Sequence, residues 1–82
     1  MTVNHNLTKR ESEVLALVAQ GYSNKEICEK LVISDGTITS HMCSIYHKFG
    51  LFAQSKGEYS TMRVKAALIY LRQNGLLRHT EY

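Results

Sequence analysis

Proline and tryptophan are absent from the 82 residues, and glycine occurs only five times. Proline and glycine are the residues that disfavour helices most strongly, so a sequence with few of them can sustain long helices. Several stretches also repeat their apolar residues with the 3.6-residue period of a helix. These features predict an all-α fold, and the chain length allows a single domain with one modest core.

Cysteine is nearly as scarce, and Cys28 and Cys43 form no CxxC pair. Neither a disulfide framework nor a zinc site is therefore indicated. Cys43 and His47 could share one helix face, but a structural zinc ion takes four ligands. We expect no metal site and no cofactor, and we interpret Cys28 as a small buried apolar residue.

Long hydrophobic runs are missing as well. No apolar stretch approaches the ~18 residues of a membrane span, and MTVNHNL lacks a signal-peptide core, which predicts a cytoplasmic protein without a membrane partner. No glycine-rich phosphate loop or nucleophile–base set is present, so we expect no catalytic residue and no enzyme. The formal net charge of +3 and the pI near 9.0 are compatible with nucleic-acid binding but do not require it.

The stretch from Ser23 to Gly50 carries the strongest local signals. Ser23 and Glu26 have the spacing of a capping box, Ser34 is a second N-cap, and Gly50 stands where a helix C-cap is expected. A short apolar joint, 32–33, separates the two helices. Two capped helices with so short a joint predict a helix-turn-helix, whose second helix suits the DNA major groove.

An earlier helix is predicted from Thr8 to Gln20. Thr8 and Glu11 again have capping-box spacing, and Gly21 ends the pattern. Glu11 falls on the same face as three apolar residues, which is unusual for a carboxylate. It could serve the cap, pair with a cation from a neighbouring helix, or remain a partly solvated first-turn acid.

The predicted organisation is a loose leader over 1–6, one domain over 7–77 and a tail over 78–82. The helices are predicted at about 8–20, 24–31, 35–49 and 60–73, and the last could begin as early as Glu58. Residues 51–60 are predicted to form an ordered loop in which Leu51, Phe52 and Tyr59 are buried.

The last helix carries two stripes of largely apolar residues. The first consists of Val64, Ala67, Leu68 and Leu71, and the second of Met62, Ala66, Ile69, Tyr70 and Gln73. One stripe can close the core, and a second stripe suggests contact with another copy of the chain. We take the second stripe as the candidate dimer interface; the alternative is that residues 51–59 fold back and cover it.

From Leu7 to Gly50 the sequence resembles the DNA-binding domain of the LuxR/FixJ/GerE regulators, and the pattern resumes at 63–67 and 74–76. The resemblance implies a four-helix domain around a helix-turn-helix that binds promoter DNA, usually as a dimer, and regulates transcription. Two features depart from the family: the segment from Gly50 to Arg63 is longer, and Thr39 and Cys43 are neutral where basic residues are common. The matching pieces are Leu7-Thr8, Arg10-Glu11, Glu13-Val14-Leu15, Gly21, Ser23-Asn24-Lys25-Glu26-Ile27, Leu31, Ile33-Ser34, Thr37-Ile38, His41, Ile45, Lys48 and Gly50.

Helical geometry selects the candidate DNA contacts. If Ile38, Met42, Ile45 and Phe49 face the core, the opposite side of the second helix presents short, almost uncharged side chains. The base-edge candidates lie in its N-terminal half and are Thr39, Ser40 and Cys43. The phosphate candidates are Asn24, Lys25, Thr37, His41, Ser44, His47 and Lys48. For the two lysines, charge alone favours plain solvation, whereas the resemblance favours phosphate contact.

The sequence thus predicts a sequence-specific regulator of transcription that binds duplex DNA as a homodimer. The Met1 start and the short leader favour a free-standing protein over a piece of a larger one. A second regulator and RNA polymerase are candidate protein partners. The alternative is an interaction module that no longer binds DNA and modulates another regulator through residues 51–73; salt-dependent DNA affinity separates the two.

Overall fold

The computed structural model describes residues 6–53 and 57–75, which form four α-helices and no strand. They are α1 (Lys9–Ala19), α2 (Asn24–Leu31), α3 (Asp35–Lys48) and α4 (Glu58–Gln73). The prediction of an all-α, four-helix domain is confirmed. None of these helices is long and apolar enough to cross a membrane. The predicted tail and the first five residues of the predicted leader lie outside the described residues.

The first two helices begin where their capping signals predict. The Thr8 hydroxyl accepts from the backbone N–H of Glu11 at 3.1 Å, and the Glu11 carboxylate accepts from the N–H of Thr8 at 2.9 Å. Ser23 and Glu26 repeat this exchange at 3.2 and 2.9 Å. Each capping box satisfies two backbone donors that a helix start would otherwise leave without a partner.

The turn between α2 and α3 places Val32 in the left-handed conformation, with φ and ψ both at 55°. The N–H of Ile33 then donates to the carbonyl of Cys28 at 3.0 Å, which closes the end of α2. Ser34 caps α3 by accepting from the N–H of Thr37 at 3.2 Å. This tight turn fixes the angle at which α3 leaves α2.

The hydrophobic core lies between α1 and the three other helices, all of which pack against it. On α3 the predicted core residues Ile38, Met42 and Ile45 are buried, and Tyr46 is buried although its burial was not predicted. Phe49, which caps the end of α3, is half-buried. The complete buried apolar set is Val14, Leu15, Val18, Ile27, Ile38, Met42, Ile45, Tyr46, Met62 and Ala66.

The structure corrects the assignment of the two stripes on α4. Met62 and Ala66, predicted to contact a partner, are buried in the core of the chain itself. Val64 and Leu68, from the stripe predicted to close the core, are exposed. The cause is the way α4 packs across α1, which turns the Met62 side inward. The other three candidates are half-buried, namely Ile69, Tyr70 and Gln73.

The connection into α4 differs in part from the prediction. Helix α4 begins at Glu58, the earliest of the predicted starts, and Gly57 precedes it without a side-chain cap. Leu51 packs against the core, but Phe52 and Tyr59, which were expected to be buried, are 61% and 53% exposed. Part of the predicted loop is therefore the first turn of α4, and residues 54–56 lie outside the described part of the chain.

Candidate nucleic-acid interface

The outward face of α3 presents short side chains without charge. Thr39, Ser40 and Cys43 are all exposed, whereas Ile38 and Met42 on the same helix are buried. The structure therefore brings the three base-edge candidates together on one accessible surface. Short hydroxyl and thiol groups allow the helix backbone to approach a surface closely, and a hydroxyl can both donate and accept a hydrogen bond.

The start of α3 uses its hydroxyl groups locally. The Oγ atoms of Ser34 and Thr37 lie 2.9 Å apart, and the Ser34 hydroxyl also accepts from the N–H of Thr37. Thr37 is exposed, so its hydroxyl remains accessible from outside while it steadies the cap. This places a predicted phosphate contact at the positive end of the helix dipole.

Asn24 and Lys25 are exposed at the start of α2, and α4 reaches back to hold this site. The guanidinium of Arg63 donates to Oδ1 of Asn24 at 2.6 Å and to the carbonyl of Tyr22 at 2.8 Å. With its carbonyl oxygen engaged, Asn24 keeps its amide N–H groups as donors. Sequence reasoning missed this role of Arg63, because no local pattern links residues 39 positions apart.

Two predicted phosphate contacts on α3 are directed instead at α1. The Ser44 hydroxyl donates to Oε2 of Glu11 at 2.5 Å, and Nζ of Lys48 lies 2.7 Å from Oε1 of the same carboxylate. Nζ of Lys48 also donates to the carbonyl of Asn6 at 3.2 Å. Glu11 thus fulfils two of the interpretations offered for it, as capping partner and as ion-pair partner of a cation from another helix. Asn6, predicted as part of a loose leader, is held by this contact.

The carboxyl group of Glu11 has a lowered pKa in this setting. Burial alone raises its pKa, but hydrogen bonds from Lys48, Ser44 and the backbone of Thr8, with the charge of Lys48, outweigh burial and lower it from 4.5 to about 2. The carboxylate is therefore ionised at every physiological pH and keeps attracting the ammonium group.

The two histidines of α3 differ in their surroundings. His41 is half-buried, whereas His47 is exposed and meets the ring of Phe52 edge-on, with ring centroids 5.2 Å apart. Beside His47 lies an open cleft of about 240 Å³. Its lining joins the outward side of α3 to the connection before α4 and consists of Cys43, Tyr46, His47, Leu51, Phe52, Ala53, Tyr59 and Met62.

Cys28 is half-buried rather than fully buried, and it packs against the core. Its thiol donates to Oδ1 of Asp35, with 3.6 Å between sulfur and oxygen, which links α2 to the first turn of α3. Burial, followed by the hydrogen bond and the charge of Asp35, raises the pKa of this thiol. Within residues 6–53 and 57–75, no three histidine, cysteine, aspartate or glutamate side chains are grouped so as to hold a metal ion.

Comparison with known proteins agrees with this geometry. The family model described as "Bacterial regulatory proteins, luxR family" matches residues 5–56, which include α1, α2 and α3. The oxygen regulatory protein NreC from Staphylococcus aureus strains JH9, JH1 and USA300 is in each case 46% identical over 63 residues. The match covers 77% of this chain and 28% of each relative, so the chain spans less than a third of their length. With its helix-turn-helix DNA-binding domain, the chain belongs to the luxR family of bacterial regulatory proteins.

Proposed function

We propose that this protein regulates transcription by binding specific sequences of duplex DNA, with α3 lying in the major groove. The observation that carries the proposal is the exposed face of Thr39, Ser40 and Cys43, backed by buried Ile38 and Met42 on the same helix. The name of the relatives, an oxygen regulatory protein, supports a regulatory role for this chain without indicating its signal.

In this proposal the N-terminal half of α3 reads base edges. The Thr39 methyl group can contact a thymine methyl, and the hydroxyls of Thr39 and Ser40 can serve either kind of base. The start of α2 binds the backbone, since Lys25 supplies a charge and Asn24 an amide held in place by Arg63. The hydroxyl of Thr37 and the imidazoles of His41 and His47 complete the proposed phosphate contacts.

The protein is proposed to act as a dimer, because a two-fold protein matches a two-fold DNA site. Since Met62 and Ala66 are buried, the proposed contact moves to the exposed side of α4, around Val64 and Leu68. These residues stand four positions apart on one helix face, which an isologous helix-to-helix contact would cover.

The exposed aromatic side chains favour a second candidate function, that of a module that binds another regulator or RNA polymerase. Phe52 and Tyr59 line the open cleft beside α3, and neither is covered by the rest of the described chain. In that case residues 51–73 would carry the interaction, and DNA affinity would be weak at every salt concentration.

Selection of binding sites from random duplex DNA at two salt concentrations tests the proposal. We expect enrichment of a two-fold site and an affinity that falls as salt rises, because phosphate contacts release counterions. Thr39→Ala should lower the preference for the selected site about five- to tenfold, in line with about 1 kcal/mol or more for one base contact. Thr61→Ala, an exposed threonine on α4, is the matched control and should leave preference unchanged.

The two candidate functions give opposite results in this assay. Selection without enrichment, together with salt-independent or absent binding, would reject the DNA-binding proposal and favour the interaction module. An unchanged site preference for Thr39→Ala, with enrichment intact, would remove Thr39 from base reading and leave the proposal to Ser40 and Cys43.

A further inference from the structure

We propose that Glu11 withholds Lys48 and Ser44 from DNA, so that α3 meets the phosphate backbone without a lysine of its own and Lys25 supplies the charge. The inference rests on the proposed function, since it concerns which residues of the DNA-binding surface contact phosphate. It assigns Glu11 the role of a positioning residue, which acts on DNA binding through the side chains that it holds.

The geometry directs both side chains inward. Glu11 is 5% exposed, and its two carboxylate oxygens separately accept from Lys48 and Ser44. The carbonyl of Asn6 takes a second hydrogen bond from the Lys48 ammonium group. Two of the three ammonium donors are therefore engaged within the protein, and the side chain of Lys48 is 30% exposed.

Release of Lys48 onto a phosphate would be unfavourable. It would leave the buried Glu11 carboxylate without its cation, and an unpaired buried charge costs more than a solvent-exposed ion pair returns. The Ser44 hydroxyl donates to the same carboxylate. Moving this hydroxyl to a phosphate would therefore remove a further hydrogen bond from the buried charge. Family resemblance alone does not anticipate this result, because it matches Glu11 and Lys48 as separate positions and does not show that their side chains meet.

The withdrawal of Lys48 has a marked effect on the charge of α3. Lys48 is the only lysine or arginine in α3, so its pairing with Glu11 leaves this helix without a lysine or arginine free to meet a phosphate. Lys25 lies one residue inside the start of α2, is exposed, and stands beside the proposed amide contact of Asn24. Attraction to phosphate is thus assigned to α2, and base contact to α3.

The salt dependence of DNA affinity tests this division of roles. Each phosphate neutralised by a lysine contributes about 0.9 to the slope of log affinity against log salt. Lys25→Gln is expected to reduce the slope by about 0.9. The double variant Glu11→Gln/Lys48→Gln removes both charges together, leaves neither unpaired, and is expected to keep the wild-type slope.

A single substitution gives the opposite change. Glu11→Gln keeps the shape of the side chain but releases the Lys48 charge, so the slope is expected to increase by about 0.9. A purely structural role of Glu11 would weaken binding without adding a phosphate contact. If the far-UV circular dichroism of Glu11→Gln is not that of a folded helical domain, the salt slope of the double variant alone tests the inference.

The outcomes separate the inference from the function on which it rests. A slope reduced in the double variant as much as in Lys25→Gln would overturn the inference, as would a folded Glu11→Gln with an unchanged slope; both leave DNA binding intact. Wild-type protein without salt-dependent binding would instead overturn the proposed function, and the inference with it.

Discussion

At the scale of single residues, Val32 adopts a backbone conformation that its side chain disfavours. Its φ of 55° lies in the left-handed region, where a β-branched side chain crowds its own backbone. The side chain is 88% exposed, so it adds little to the core in return. Val32 thus serves the turn through its backbone alone.

Replacement of Val32 by asparagine should therefore stabilise the domain. Asparagine tolerates the left-handed conformation, so Val32→Asn is expected to raise the free energy of unfolding by about 0.5–1 kcal/mol. For a domain of this size the midpoint of thermal unfolding should rise by a few degrees. Urea unfolding and a thermal scan by circular dichroism provide the measurement.

Val64→Asn is the matched control for Val32→Asn. It makes the same chemical change at an exposed position inside α4, and valine and asparagine have similar helix propensities. Because Val64 lies on the proposed dimer face, the two variants are compared at protein concentrations where the wild type is monomeric, and the control should then change stability by no more than a few tenths of a kcal/mol. Equal effects of the two substitutions would show that backbone strain at Val32 has no part in stability.

At the scale of helices, α4 is fastened near its start and has two different faces. Near its start, Arg63 fastens it to the beginning of α2 through Asn24. Met62 and Ala66 pack into the core, whereas Val64 and Leu68 face outward. The helix can therefore brace the DNA-binding surface with one side and meet a second copy with the other.

A charge on the outward face of α4 should disrupt the proposed dimer. Leu68→Glu would place two like charges near the two-fold axis of the contact, so the variant is expected to sediment as a monomer at concentrations where the wild type dimerises. Its affinity for a two-fold DNA site should fall at least tenfold, while affinity for a single half-site stays the same.

Gln20→Glu serves as the control, because it adds the same charge at an exposed position after α1, outside the proposed contact on α4. It should leave the sedimentation behaviour unchanged. A wild-type protein that stays monomeric both free and on a two-fold DNA site would remove the dimer from the proposal.

The helices could be predicted from the sequence to the extent that their determinants are local. The capping pairs Thr8–Glu11 and Ser23–Glu26 lie three residues apart, and the starts of α1 and α2 follow from them. Helix α4 has no capping side chain at Gly57, so the sequence left its start open between Glu58 and the serine and threonine that follow at 60–61.

The parts of the site that escaped prediction depend on how the helices pack. Both stripes on α4 have the same period, so their periodicity alone cannot show which of Met62 and Val64 faces α1. Lys48 and Lys25 are equivalent in sequence terms, each a lysine near a helix end. Only the packing of α3 on α1 places Glu11 beside Lys48, 37 positions along the chain, and thereby separates their roles.

At the scale of the whole molecule, the Glu11 carboxylate joins α1 to α3 through three donors. It accepts from Thr8 at the start of α1, and from Ser44 and Lys48 along α3. Because the pKa of Glu11 is lowered on folding, the folded state binds its proton less readily than the unfolded state does. The stability that this provides is present above pH 4.5 and is lost as the pH falls towards 2.

Acid unfolding should report this contribution. Above pH 5, Glu11→Gln is expected to be less stable than the wild type by on the order of 2 kcal/mol. This is less than the full pKa shift would give, because solvent screens the partly exposed Lys48. The difference should shrink as the pH falls through the window from 4.5 to about 2. Urea unfolding at a series of pH values measures it.

Glu13→Gln is the control for the acid series, since Glu13 pairs with Arg10 at 3.3 Å on the exposed side of α1. Such a surface pair contributes little, so the control should stay within about 0.5 kcal/mol of the wild type at every pH. A constant gap between wild type and Glu11→Gln down to pH 2 would contradict the lowered pKa.

The hydrogen bond from Lys48 to the carbonyl of Asn6 also determines where a fusion partner would stand. The chain enters the domain beside the C-terminal end of α3, and Thr39 lies nine residues further back, about 14 Å along the helix axis. A fluorescent protein or an affinity tag joined directly to Asn6 through a short linker would thus start next to Lys48. The half of α3 with Thr39 and Ser40 would remain unobstructed, so attachment at Asn6 keeps the proposed base-reading surface open for immobilisation.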